Sequence, residues 1–186
     1  MSLAPMTQAT SVELASAYRG LPLAEPKLFR IHRDVRFGKD KTPYKTHCAG
    51  VVSTSAGPTM ATGAAVYLQL GLEEFAGAGF YAFTPEQLAR WRKAVLEPRR
   101  GAEIARRIDA AVAAGLTLDA ATVLAKVPHG LDPAHPRALL LRHKGCVVGF
   151  PAIPRGAIHT PALATWLVAQ ARLAAPMVAW LQAHVA

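Results

Sequence analysis

"FAGAGFYAFTPEQLARWRKAVLEP", residues 75–98, changes period in its middle, and that change decides the fold class. Its first half reads as a strand, with Gly77 and Gly79 on one face. Its second half opens with Thr84 as N-cap, Pro85 at the first helical position and Gln87 completing a capping box. Leu88, Trp91 and Val95 then recur at helical spacing.

Upstream of this point the chain reads as strands. "LFRIHRDVRF", residues 28–37, alternates Phe29, Ile31, Val35 and Phe37 with Arg30, His32, Asp34 and Arg36, while Arg33 falls on the apolar face. "GKDKTPYK" carries loop residues Gly38, Asp40 and Pro43. "THCAGVVST" and "AAVYLQLGL" read as two further strands around a turn region, "SAGPTMATG". Four strands with short connections predict an antiparallel meander. Before them, "SVELASAY" reads as a short helix capped by Ser11.

Downstream the chain reads mostly as helix. A second helix is expected from Ala102 to Ala114, ending at Gly115. "TVLAKVP" reads as a short strand, a short helix follows Pro136, and "CVVGFP" reads as another strand. The final helix starts near Thr160, with an apolar stripe through Leu163, Trp166, Leu167, Leu173, Met177, Trp180 and Leu181. Pro176 should kink or split it. Strands grouped before helices predict a single α+β domain over residues 1–186: a mainly antiparallel sheet covered by C-terminal helices, with 1–10 as a flexible tail.

Composition agrees. At 52% hydrophobic and 18% charged residues the 186-residue chain is no disordered segment. Folding at this length buries roughly 70% of the unfolded surface, so no staple is needed. Two cysteines, Cys48 and Cys146, make no disulfide framework and read as buried thiols. The N-terminus lacks the pattern of a signal peptide, and Gln170, Arg172 and Pro176 interrupt the most apolar stretch. The expectation is a soluble, cytoplasmic protein without a membrane partner.

The net charge is +9, from 21 Lys plus Arg against 12 Asp plus Glu. One basic cluster comprises Arg90, Arg92, Lys93, Arg99, Arg100, Arg106 and Arg107, and suits a solvated helical face. The other comprises Lys27, Arg30, Arg33, Arg36, Lys39, Lys41 and Lys45, with Asp34 and Asp40 as its acids. That imbalance exceeds what mutual pairing neutralises. Arginine forks bind phosphate or carboxylate in a bidentate way, and the lysines add point charges. Asp34 is expected to order the arginines around it. The candidate ligand-binding set is Arg30, Arg33, Asp34, Arg36, Lys39, Lys41, Tyr44, Lys45 and His47, with Tyr44 and His47 as candidates for proton transfer. Gly77, Ala78 and Gly79 would let a ligand approach the sheet backbone.

The stretch from Arg30 also fits the pattern RxxRDxRFxxxKxxY through Arg30, Arg33, Asp34, Arg36, Phe37, Lys41 and Tyr44. "KTPYKTH", "GAGFYAFTPEQL", "KVPHGLDPAHP" and "CVVGFP" extend the match. In these motifs the chain resembles the domain of unknown function 2461 family, uncharacterised bacterial proteins. Ala78 stands where that family commonly has a third Gly, and Tyr81 where it commonly has Trp. The resemblance implies a fold and a site, and brings no reaction or cofactor.

Three function classes remain. A small-anion binding protein or enzyme is the first. A nucleic-acid binder, using Phe37, Tyr44 or Tyr81 for stacking, is the second, though no helix-turn-helix, zinc-finger or RNP-type signature accompanies it. An interaction or structural module is the third. There is no Walker loop, GxGxxG or HExxH, and Ser55 lacks a nucleophile-elbow context. The pairs His47/Cys48 and His143/Cys146 could each offer two metal ligands, but no partner pair at metal spacing accompanies them, so no metal is expected.

Overall fold

The computed structural model describes residues 13–30, 46–54, 63–120 and 123–186. Among the described residues the sheet has six strands: β1 (Lys27–Leu28), β2 (His47–Ser53), β3 (Ala65–Gly71), β4 (Phe75–Phe80), β5 (Thr117–Leu118) and β6 (Cys146–Gly149). They lie in the order β1-β2-β3-β4-β6-β5, and each neighbouring pair is antiparallel. The expected meander is therefore present, in a single α+β domain. Among the described residues five helices accompany the sheet: α1 (residues 13–17 of it described), α2 (Pro85–Leu96), α3 (Pro98–Ala113), α4 (Ala138–Leu141) and α5 (Ala162–His184).

Strand alternation sorts the sheet into two faces. One cross-strand row is Val52, Val66, Ala78, Val148 and Leu118, and it belongs to the core with α5. Ala76 and Ala78 keep that face low, so Ala171, Ala174, Met177 and Val178 of α5 can join the same buried cluster. Leu14 and Tyr18 join it too, and the Tyr18 hydroxyl donates to the Ala171 carbonyl (3.2 Å). The Thr54 hydroxyl reaches Gln182 Oε1 on α5 (2.9 Å).

The helix signals resolve as local chemistry. The Gln87 N–H donates to Thr84 Oγ1 (3.3 Å), and the Thr84 N–H donates to Gln87 Oε1 (3.0 Å). Thr84→Ala should cost about 1 kcal/mol, while Thr84→Ser should stay near wild type; urea denaturation of the two variants measures the difference. α3 begins at Pro98, earlier than the expected Ala102, because Glu97 serves both neighbouring helices. Its N–H donates to the Lys93 carbonyl and ends α2, while its carboxylate accepts from the N–H groups of Arg99 (3.0 Å) and Arg100 (2.7 Å) and starts α3. Gly115, at φ +96°, lies just past the end of α3.

Several expectations need correction. α5 runs unbroken through Pro176, which is exposed and whose carbonyl accepts from Arg107. "TVLAKVP" contributes no strand among its described residues; Val123 makes only an isolated bridge to His143. β5 lies a few residues earlier, at a position that was not expected to be a strand. Cys146 is buried as expected, but Cys48 is exposed. Of the strand read over 28–37, the described residues hold only Leu28 within β1, and residues 31–45 lie outside the description. Residues 1–12, expected to hold the tail and Ser11, lie outside it as well.

The second basic cluster is largely solvated. Lys93, Arg99, Arg100 and Arg106 are exposed. Arg107 pairs with Glu103 within α3 (2.6 Å) and donates to the Pro176 carbonyl of α5, and Arg90 Nε of α2 donates to the Val185 carbonyl (3.0 Å), so both also tie helices together. α5 is long and apolar enough to cross a membrane by length and composition alone. In this fold its Leu163, Leu167, Ala171, Met177 and Leu181 are buried in the core.

Candidate functional site

The face of the sheet opposite α5 carries a cavity of about 720 Å³. Its position follows from register. The row Val51, Tyr67, Gly77, Gly149, Thr117 crosses this face, and the next row is Ser53, Ala65, Gly79, Val147. Gly77, Gly79 and Ala65 give the sheet little relief there, so the hollow reaches down to backbone. Tyr67, Phe75 and Phe29 form one wall, with ring centroids 6.3 Å apart for Phe29–Tyr67 and 6.1 Å for Tyr67–Phe75.

Hydrogen bonds fix this wall. The Tyr67 hydroxyl donates to Gln69 Oε1 (2.9 Å), and Gln69 Nε2 donates to the Glu73 carbonyl (3.1 Å). Burial, and secondarily the nearby Tyr81, push the Tyr67 pKa up, so its hydroxyl keeps its proton at neutral pH. It is a hydrogen-bonding group here, not a base. Arg30, His47 and Glu73 line the cavity on the side of β1, β2 and β3, and Asp119 lines it beyond β5.

Two of the nine expected ligand residues, Arg30 and His47, are described, and both line this cavity. Phe29 N–H donates to the Ala49 carbonyl (2.8 Å), which fixes the approach to Arg30. His47 opens β2 opposite Gly71. Arg33, Asp34, Arg36, Lys39, Lys41, Tyr44 and Lys45 lie outside the described residues. Gly77 and Gly79 share the expected face and line the same cavity. Tyr67, Gln69, Phe75 and Asp119 were not singled out from sequence. Tyr67 and Gln69 had a readable signal: they alternate with Val66 and Leu68, so they share the face of the glycines.

The two His/Cys pairs sit in different surroundings. His47 and Cys48 are successive strand residues, and alternation sends them to opposite faces. His143 is buried, and desolvation with the Arg142 charge lowers its pKa, against a smaller opposing pull from Asp119. Burial pushes the Cys146 thiol up to about 12, and its Sγ lies 3.9 Å from Met177 Sδ. Among the described residues no group of three or more His, Cys, Asp or Glu converges on one point.

A second cavity, of about 220 Å³, lies on the α5 side near β1 and β2. Leu14, Leu28, Leu70, Leu163 and Leu167 give it a mainly apolar lining, to which Lys27 of β1 adds a cation.

Compared with known families, residues 3–180 match the profile of the family described as Conserved hypothetical protein (DUF2461). The chain belongs to this family. No curated protein and no solved structure matches it. Membership brings no activity with it and leaves the chemistry to be argued from the site.

Proposed function

We propose that this DUF2461 protein binds a small phosphate- or carboxylate-bearing molecule in the cavity opposite α5, in the cytoplasm, with Tyr44 and His47 as the groups that would move protons in any turnover. One observation carries the reading: Arg30 and His47, the described members of the basic motif, line the same cavity as the backbone of Gly77 and Gly79. The motif's imbalance of cations over acids supplies the reason for an anion. The arginines would hold the charged group through paired N–H donors.

A thermal-shift screen of inorganic phosphate, sugar phosphates, nucleotides and organic acids tests this. A ligand at about 100 times its Kd stabilises by about 2.7 kcal/mol. For a domain of this length that raises Tm by roughly 5–10 °C. Arg30→Ala, Arg33→Ala and Arg36→Ala should each weaken the best hit by tenfold or more, the scale of a lost charge-assisted hydrogen bond. Retention of every hit by all three variants would place the binding elsewhere. Sub-micromolar binding of an oligonucleotide at physiological salt would favour the nucleic-acid reading instead.

A further inference from the structure

We infer that the bound anion is carried on a planar aromatic or heteroaromatic ring, which stacks on Phe75. The inference rests on the anion reading above and narrows its substrate class. Phe75 is 39% exposed and lines the cavity. Its ring lies down on the sheet over Gly77, where a Cβ would crowd it at 3.1 Å, and reaches Gly149, whose Cβ would stand in ordinary contact with it at 3.6 Å. One side of the ring is thus applied to glycine backbone. Its edge is held by Tyr67, which the Gln69 hydrogen bond keeps in place. The result is an ordered, partly exposed aromatic surface in a cavity whose β1–β2 side carries Arg30 and His47.

A ligand suited to this arrangement has a flat ring and a charged group at its edge. The ring stacks in the offset or tilted geometry that aromatic pairs prefer, and the charge reaches the basic side. A saturated ring of the same size fills similar space but is puckered, so it forfeits the stacking contact. Burial of general apolar surface would not discriminate between the two.

Isothermal titration calorimetry on the full chain tests this with two matched pairs: phenyl phosphate against cyclohexyl phosphate, and benzoate against cyclohexanecarboxylate. In at least one pair the aryl member should bind roughly tenfold tighter, the order of a single stacking contact. Phe75→Leu keeps an apolar side chain and should bring that pair level without weakening the cyclohexyl member. Phe75→Tyr should preserve the preference, and circular dichroism confirms that both variants fold. Equal binding within each pair, or a preference that survives Phe75→Leu, overturns the aromatic inference and leaves the anion reading standing. Absence of binding by all four compounds overturns the aromatic inference, whereas the anion reading falls only if the whole thermal-shift screen gives no hit.

Discussion

Trp91→Ala is expected to lower stability by about 3–5 kcal/mol, the usual range for removing a fully buried large aromatic. Trp91 is 0% exposed and sits where α2, α4, α5 and the end of β4 converge. Its ring lies 5.4 Å from Phe83 and 6.1 Å from Trp180, the latter edge-on at 90°. Its Nε1 donates to the Leu140 carbonyl at 3.0 Å, pinning α4 to α2. Truncation therefore opens a cavity and removes the tie to the Leu140 carbonyl, which keeps the His143 N–H (3.2 Å) as a donor. The expected fall in Tm is roughly 6–20 °C. Trp91→Phe should cost less, because it keeps most of the volume and loses mainly the hydrogen bond. Urea denaturation of both variants gives the ordering; a Trp91→Ala cost below about 1 kcal/mol would mean this indole is not a centre of the core.

Trp91 also shows what kind of information the sequence exposes. Its burial follows from spacing with Leu88 and Val95, and the start of its helix follows from Thr84, Pro85 and Gln87. Those signals are local, so they can be read one turn at a time. Glu97-Pro98 was harder, because one dipeptide ends α2 and begins α3, and a stop signal masks the start. β5 has two residues, too few for period two to register, and it exists as a strand only through pairing with β6. Pro176 does not split α5, for a related reason. The local penalty is real, but the packed face of α5, from Leu163 to Leu181, outweighs it.

The site divides along the same line. The glycine face and the basic motif are visible as patterns within single segments. The Phe29–Tyr67–Phe75 wall joins three segments, and only the register across β1, β2, β3 and β4 brings them together. Asp119 reaches the cavity because its N–H donates to the Val147 carbonyl (2.9 Å) beyond the end of β5. No spacing within its own segment announces that.

Gly79→Ala is the substitution where fold and site meet, and it is expected to cost about 2–6 kcal/mol, from backbone strain and overpacking together. Gly79 has φ +138°, a conformation that side chains disfavour. A Cβ there would stand 2.0 Å from the Cys146 carbonyl oxygen and 2.9 Å from the Val147 Cα. Both are backbone atoms of β6, the strand that β4 must pair with, so neither can swing aside as a side chain would. Relief requires β4 and β6 to separate, which breaks the middle of the sheet beneath α5 and deforms the cavity floor on the other face. Gly149→Ala is the matched control on β6. Its Cβ would meet nothing nearer than 3.6 Å, and its φ is not positive, so a change of no more than about 1 kcal/mol is expected. Thermal melts of the two variants test the contrast directly. If Gly79→Ala melts with Gly149→Ala, the close pairing of Gly79 with Val147 is not the native register, and the hollow built on it must be redrawn.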